Sequence, residues 1–394
     1  MKKELDLQKI LEIIRKVVKQ DTGQEIMLHE PCFRGNEWRY IRECLDSGWV
    51  SSAGGFVDRF EKDLARFTGA RHAVAVVNGT AALHIALLLL DVNAGDEVLL
   101  PALTFVATAN AVSYCRAIPH FVDSDMRTMG IDSEKLADYL GYMAEIKNGT
   151  CYNKRSGKRI KAIIPVHIFG HPVDMDPLLD IAGHYHLQVV EDAAESLGST
   201  YKGRHTGTLG RIGIMSFNGN KIVSTGGGGA ILSNDDVLAK MARHLTTTAR
   251  ITRTWGFEHD RVGYNYRLPN INAALGCAQL EQLPRFVAAK RCLAQAYGEA
   301  FKDLQGVDIF TEGDNVNSNY WLNALLLNQE YAMQKDALLQ LSNEAGVITR
   351  PVWELMHRLL MYRDCPRMDL STAENLFDRI INLPSSAFLG EHYV

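Results

Sequence analysis

From residue 70 onward, short apolar runs alternate with helical windows, and this rhythm limits the possible folds more than any other feature of the chain. Residues 72–77 read as a buried strand, and Gly79-Thr-Ala-Ala-Leu-His-Ile-Ala-Leu as a helix that begins at a glycine. Residues 97–100 read as a strand running into Pro101, Leu103, Thr104 and Phe105. A helix at 107–114 and a strand at 119–122, reaching Asp123, come next. Strands at 161–168 and 188–190 flank a helix at 176–186, the second strand ends at Glu191-Asp192, and residues 212–217 make a further strand. Strands separated by helices predict an α/β domain with a mostly parallel sheet. Ligands of such sheets collect at the carboxyl ends of the strands. Thr80, Phe105, His167, Asp192 and Lys221 all fall at predicted strand ends or just past them.

Elsewhere the rhythm differs. Residues 4–20 set Leu5, Ile10, Leu11, Ile14, Val17 and Val18 among lysines and glutamates, an amphipathic helix that leans on another surface. Residues 21–36 read as extended, 37–47 as helix, and 48–55 as a small-residue loop around Trp49 that suits a pocket lining or a tight interdomain turn equally. The stretch 126–160 reads as a helix and a basic loop, with 148–161 a solvated surface hairpin. Long helical windows follow residue 235, until α/β patches at 320–327 and 346–350. This organisation predicts an N-terminal helical extension at 1–27, a large domain at 28–260 and a smaller C-terminal α/β domain at 261–394.

Composition excludes some classes. A net charge of −4 without a long basic run argues against a nucleic-acid partner. The seven cysteines form no CxxC pair, which argues for reduced thiols in a cytoplasmic protein and against a disulfide frame or a metal site. Met-Lys-Lys-Glu-Leu-Asp is no signal peptide, and no window is long and apolar enough to predict a membrane span.

The chemistry gathers at 212–229, where a strand ends in a polar turn that presents Lys221, with Ser216 five residues earlier and Gly226 to Gly229 just after. A partly desolvated lysine is a nucleophile, a hydroxyl can hold a phosphate, and glycines let backbone approach a flat ligand. The same residues also describe an ordinary strand end with a solvated lysine, and this stretch alone leaves both open. An aldehyde cofactor carried on a lysine needs an amine, a phosphate anchor, a ring face, a carboxylate for a ring nitrogen and a partner for a ring hydroxyl. Lys221, Gly79-Thr80 at a helix N-terminus, Phe105, Asp192 and Glu195 supply these in turn. Taken singly, Asp192 reads as readily as a strand-end cap and Phe105 as core packing.

Glu191-Asp-Ala-Ala-Glu195, Ser216-Phe-x-x-x-Lys221 and Gly-Gly-Gly-Gly-Ala230 resemble the DegT/DnrJ group of sugar-nucleotide aminotransferases. Asn78-Gly-Thr-Ala-Ala-Leu-His84, Pro101-x-x-Thr-Phe-Val-Ala107, Gly263-Tyr-Asn-Tyr-Arg267, Trp49-Val-Ser-Ser and Val166-His-Ile-Phe-Gly170 match the same group, in its order, over roughly residues 28–387. The resemblance implies a pyridoxal-phosphate enzyme of the aspartate-aminotransferase fold (fold type I), active as a homodimer whose sites are shared between subunits. By matched position Lys221 would carry the cofactor and shuttle the proton, and Asp192 would hold the pyridine nitrogen. Glu195 would sit by the phenolic oxygen, and Phe105 would stack on the ring. Gly79, Thr80 and Ser216 would bind the phosphate, joined by Asn265 of the neighbouring subunit. Trp49, Ser51, Trp321, Arg350 and His357 would line the sugar-nucleotide pocket.

Asn218-Gly-Asn220, the N-terminal helix, the insert near 150 and Arg350-Pro-x-Trp353 resemble the branch that aminates C4 of UDP-4-keto-6-deoxy-N-acetylhexosamines in bacillosamine and legionaminic acid pathways. His171 and Asn270 stand where the family often has Gln and Asp. The implied reaction takes an amino group from glutamate and delivers it to the keto sugar, for surface-polysaccharide or lipopolysaccharide O-antigen synthesis. The rival readings are a 3-keto sugar substrate, a sugar dehydratase using His167 or His171, and a non-catalytic ligand sensor.

Overall fold

The computed structural model describes residues 4–19, 23–251 and 255–394; residues 1–3 and 20–22 of the predicted N-terminal extension lie outside the described residues. A seven-stranded sheet forms from β1 (His72–Val76), β2 (Glu97–Pro101), β3 (Ile118–Val122), β4 (Ile160–Ile163), β5 (Gln188–Asp192), β6 (Ile212–Ser216) and β7 (Gly229–Ser233). Its order is β1-β7-β6-β5-β4-β2-β3, and only β7 runs against its neighbours. This is the mostly parallel mixed sheet that the resemblance leads one to expect. A parallel sheet is covered on both faces, so its strands read as near-continuous apolar runs rather than alternating ones. Four residues each of β1 and β6 and all five of β2 and β7 are buried.

The helix α1 (Leu7–Val18) does lean on another surface: Ile10, Leu11, Ile14 and Val17 pack with Leu293, Tyr297, Val307 and Leu325. Helices α2 (Gly79–Leu89) and α3 (Val106–Tyr114) follow β1 and β2 directly. In the C-terminal part β8 (Val307–Ile309), β9 (Asn323–Leu327), β10 (Arg350–Pro351) and β11 (Ile380–Leu383) make an antiparallel sheet of order β8-β9-β11-β10. The long helix α4 (Asn270–Phe301) packs its first half with Phe60, Phe217 and Ala230 and its second with Val307 and Leu325. A division at 260/261 therefore remains a proposal, with one helix built into both cores. No helix among the described residues is long and apolar enough to cross a membrane.

The basic stretch expected to be a solvated hairpin does form one, residues 144–147 pairing with 150–153 and residues 148–149 and 154–158 lying exposed, but its base is anchored. Glu97 of β2 is buried, and it accepts hydrogen bonds from Asn153 Nδ2 (2.8 Å) and Ser156 Oγ (2.6 Å) and faces His120 Nδ1 (2.8 Å). A buried carboxylate must find such partners, and here they come from the stretch read as surface. Although burial raises the Glu97 carboxyl, the bonds from His120, Asn153 and Ser156 leave it below its ordinary value.

Two histidines are buried as neutral rings. His171 meets the rings of Phe310 and Tyr320 edge-on, at centroid distances of 4.8 and 5.0 Å, and burial pushes its pKa down from 6.5 to about 3. His205 accepts from the Gly198 amide and donates to Thr206 O, and burial pushes it down to about 4. A group with a depressed folded pKa contributes stability that is present above its unfolded value and is lost as the pH falls towards the folded one. Between pH 6.5 and about 4, each ring should therefore remove about 1.4 kcal/mol of stability per pH unit. Melting temperatures of the wild type and His171→Phe across that window test this, and the variant should show the shallower acid slope.

Candidate active site

The carboxyl ends of β1, β2, β5 and β6 converge on a cavity of about 370 Å³. Its lining includes Gly79, Thr80, Phe105, Asp192, Glu195, Ser216, Lys221 and Trp321. Residues far apart in the chain are thus brought to one place by the strand order alone.

Each side chain is set by local structure. Asn78 caps α2, its Oδ1 accepting from the Ala81 amide at 2.7 Å, and the amides of Gly79 and Thr80 open the helix. Such a helix start has unpaired N–H groups and the positive end of the dipole, which suits a dianion. Ser216 ends β6 beside it: a Cβ on Gly79 would meet Ser216 Cβ at 3.0 Å. Gly229, at the start of β7, lies so close that a Cβ there would meet the Asn78 backbone at 2.5 Å. Gly226 takes the left-handed conformation (φ +75°) that turns the chain back. The four-glycine run thus closes the cradle wall from behind.

Asp192 ends β5, while its neighbour Glu191 points to the opposite face, as strand alternation requires. Glu191 faces His167 Nε2 and accepts the amides of Gly207, Leu209 and Gly210. Burial raises Glu191, but His167 and those amides leave it below the ordinary carboxylate range. Asp192 receives Thr108 Oγ1 on Oδ2 (2.8 Å) and the Ala194 amide on Oδ1 (3.2 Å), and no cation pairs with it directly among the described residues. Burial raises its pKa, partly offset by those two bonds and by the charge of Lys221. A desolvated carboxylate aimed into a cavity without a cation is a seat for a ligand N–H.

Lys221 follows the β6 turn, with Nζ 3.1 Å from Glu195 Oε1 and 3.8 Å from the centroid of the Trp321 indole. Glu195 Oε2 accepts the Phe169 amide at 2.9 Å. Burial raises the Glu195 carboxyl against the opposing pull of Lys221. Phe105, at the N-cap of α3, is 52% exposed and offers a ring face, with Trp353 at 6.2 Å. An amine, a buried carboxylate, a helix start with a hydroxyl and an aromatic face fit a phosphorylated heteroaromatic aldehyde.

Four expected residues, Trp49, Ser51, Arg350 and His357, are not brought to this cavity, and Asn265 was expected from the neighbouring subunit. Asn265 is exposed. Trp49 lines a different hollow, with Gly54, Arg59 and Asn270, and Ser51 is exposed nearby. Arg350 Nη1 donates to Asn343 Oδ1, and His357 Nε2 faces Glu374 Oε1 at 3.2 Å. Neither His167 nor His171 lines the cavity: the first is bonded to Glu191 and the Val173 amide, and the second is walled in by aromatic rings. The dehydratase reading loses its candidate base.

Four contributors escaped the reading of the sequence. Thr108 sits three residues past Phe105, one helical turn on, and that spacing was the available signal. Trp353 lay within a motif noted only as a mark of subgroup. Phe169 takes φ 55°, which aims its amide at Glu195. Asn319 donates to Glu195 O and Leu197 O, both at 2.9 Å. Backbone conformation and long-range bonds leave no local trace in a sequence.

Comparison with known proteins gives concordant results. Residues 31–394 match the DegT/DnrJ/EryC1/StrS aminotransferase family. The GDP-perosamine synthase of Caulobacter vibrioides is 38% identical over 376 residues, covering 93% of this chain and 94% of that one. EpsN of Bacillus subtilis, provisionally named a pyridoxal phosphate-dependent aminotransferase, is 38% identical over 372 residues, covering 93% and 92%. The crystal structure of the aminotransferase TlmJ from Streptoalloteichus hindustanus superposes with a TM-score of 0.82 at 28% identity, covering 92% of this chain and 93% of that one.

Proposed function

Because the chain belongs to the DegT/DnrJ/EryC1/StrS aminotransferase family, we propose that it moves an amino group from glutamate to the C4 keto carbon of a nucleotide-linked 4-keto-6-deoxy sugar. It is a pyridoxal-phosphate-dependent aminotransferase that acts on a nucleotide sugar. Relatives named for GDP-perosamine, a 4-amino sugar, make a GDP-linked substrate the first candidate, ahead of the UDP-linked N-acetylhexosamine that the motifs imply. The observation that carries the reading is the meeting of Lys221, Asp192 and Glu195 in one cavity beside a helix start.

When bound, pyridoxal phosphate supplies an aldehyde that takes up the amino group and a ring that accepts electrons. Lys221 Nζ, oriented by Glu195, accepts a proton from the substrate carbon that bears nitrogen and returns one on the reverse half-reaction. Asp192, its lone pairs aimed by Thr108 and the Ala194 amide, would keep the proton on the ring nitrogen. Gly79, Thr80 and Ser216 would hold the phosphate, and Phe105 would offer its face to the ring.

The protein also acts as a homodimer in this proposal, which would account for Asn265, Trp49 and Ser51 lying outside the cavity of their own chain. Support comes from apolar side chains left in solvent: Trp49, Tyr114, Phe257 and Val262 are all more than half exposed, as at an unpaired interface. Arg350 and His357 are proposed to meet the nucleotide sugar.

A visible absorbance band on adding pyridoxal phosphate, bleached by glutamate and restored by a GDP-linked 4-keto-6-deoxy sugar, is the expected outcome. Restoration by a UDP-linked 4-keto sugar alone would move the nucleotide assignment, and restoration by 3-keto sugars alone would overturn C4. Absence of any band would favour the ligand-sensor reading.

A further inference from the structure

Behind Lys221 and Trp321 lies a buried amine, Lys290, that none of the roles above uses. The Trp321 indole is the surface on which the Lys221 ammonium rests, and its Nε1–H donates to Asn220 O at 2.7 Å, one residue before that lysine. The Trp321 backbone is held from both sides. Its amide donates to Asn319 Oδ1 (2.8 Å), and its carbonyl accepts Lys290 Nζ at 3.1 Å. Lys290 projects from α4, is wholly buried, and also donates to Ser385 O. It therefore ties the 318–322 segment to the 384–386 segment. Tyr320, next to Trp321, takes φ 47°, a strained conformation that persists only where its surroundings over-determine it.

A fully buried amine is an unusual tie, because burial disfavours its charge and an apolar side chain of similar size would pack as well. Burial indeed pushes Lys290 well below the ordinary lysine value. The tie makes sense if position, rather than stability, is what it supplies. Resting on the aminotransferase reading above, we propose that Lys290 is a positioning residue: by gripping the Trp321 and Ser385 carbonyls it holds the indole beneath Lys221 and so sets the proton affinity of the Lys221 nitrogen.

The charged and titratable groups facing Lys221 are Glu195 at 3.1 Å, Asp192 on the neighbouring strand end, and His29, whose ring lies 6.4 Å from Trp321. Both His29 nitrogens are buried without a partner among the described residues, and burial, then Lys290, then Lys221 hold its pKa well down. Burial therefore favours the neutral form of the His29 ring. Two effects of losing Lys290 then have opposite signs. Removal of whatever positive charge Lys290 keeps against burial would, by itself, raise the proton affinity of the Lys221 nitrogen. Loosening the indole would lower it, since a cation loses its aromatic face.

The test is a spectral pH titration of the pyridoxal-phosphate-loaded protein, wild type against Lys290→Met, with thermal melting as a folding control. The visible band of a lysine-bound pyridoxal phosphate shifts when its nitrogen loses a proton. The midpoint should fall by about half a pH unit or more in the variant. An unchanged or raised midpoint overturns the proposal. If Lys290→Met does not fold, Trp321→Phe, which keeps a ring but loses the bond to Asn220, should lower the midpoint, and failure to do so is equally decisive. A wild type that shows no band at all would instead sink the aminotransferase reading, so the two failures are distinguishable.

Discussion

Lys221→Ala is expected to lose the visible pyridoxal-phosphate band and to reduce turnover by about 10²–10⁴-fold or more, the range attached to a positioned proton-transfer group. The change also removes the cation beside a buried carboxylate. Lys221 is the largest influence holding the Glu195 pKa down against burial. Without it the Glu195 carboxyl should rise further above its ordinary value. A carboxyl raised in the folded state stabilises the protein below its unfolded pKa, and that contribution is lost as pH rises through the folded value. Melting of the apo variant should therefore fall below wild type at neutral and alkaline pH and approach it on acidification. Wild-type turnover in the variant would remove Lys221 from the chemistry, whatever its melting curve showed.

Asp192→Asn separates stability from activity. In the wild type the buried carboxylate receives only Thr108 and the Ala194 amide, and burial raises its pKa. The sign again gives lost stability as pH rises through the raised value, so at neutral pH the apo wild type carries a desolvation penalty that asparagine lacks. The apo variant should melt higher. Its turnover should nevertheless fall by about 10²–10³-fold, comparable to removing one preorganised electrostatic partner. Unchanged turnover would mean that Asp192 holds nothing the reaction needs, and lower apo stability would mean that the carboxylate has a partner other than those named. Site electrostatics that resist folding yet serve the bound state are a recurrent trade-off.

Much of the site was legible because a parallel α/β sheet delivers strand ends to one edge. Thr80, Phe105, Asp192 and Lys221 fall where short apolar runs stop, and the structure gathers all four in one cavity. His167 obeyed the same rule and yet turned away, because its ring is engaged by Glu191 and the Val173 amide. A strand end specifies a place, not a direction for the side chain. The acidic pair Glu191-Asp192 makes the same point: the alternation of a strand sends one carboxylate into the amides of 207–210 and its neighbour into the cavity.

What the chain determines by itself is the order of strands and helices, the amine and carboxylates at their ends, and the glycines that allow close approach, since these depend on periodicity and residue chemistry over a few neighbouring positions. Only the tertiary structure decides that Trp321 lies under Lys221, that Glu195 is bound by Lys221 and the Phe169 amide, that 148–161 is anchored on Glu97, and that Lys290 grips the segment behind the lysine. Each of these is a contact between segments tens to hundreds of residues apart. Its energy comes from desolvation and hydrogen-bond geometry that exist only once both segments are packed.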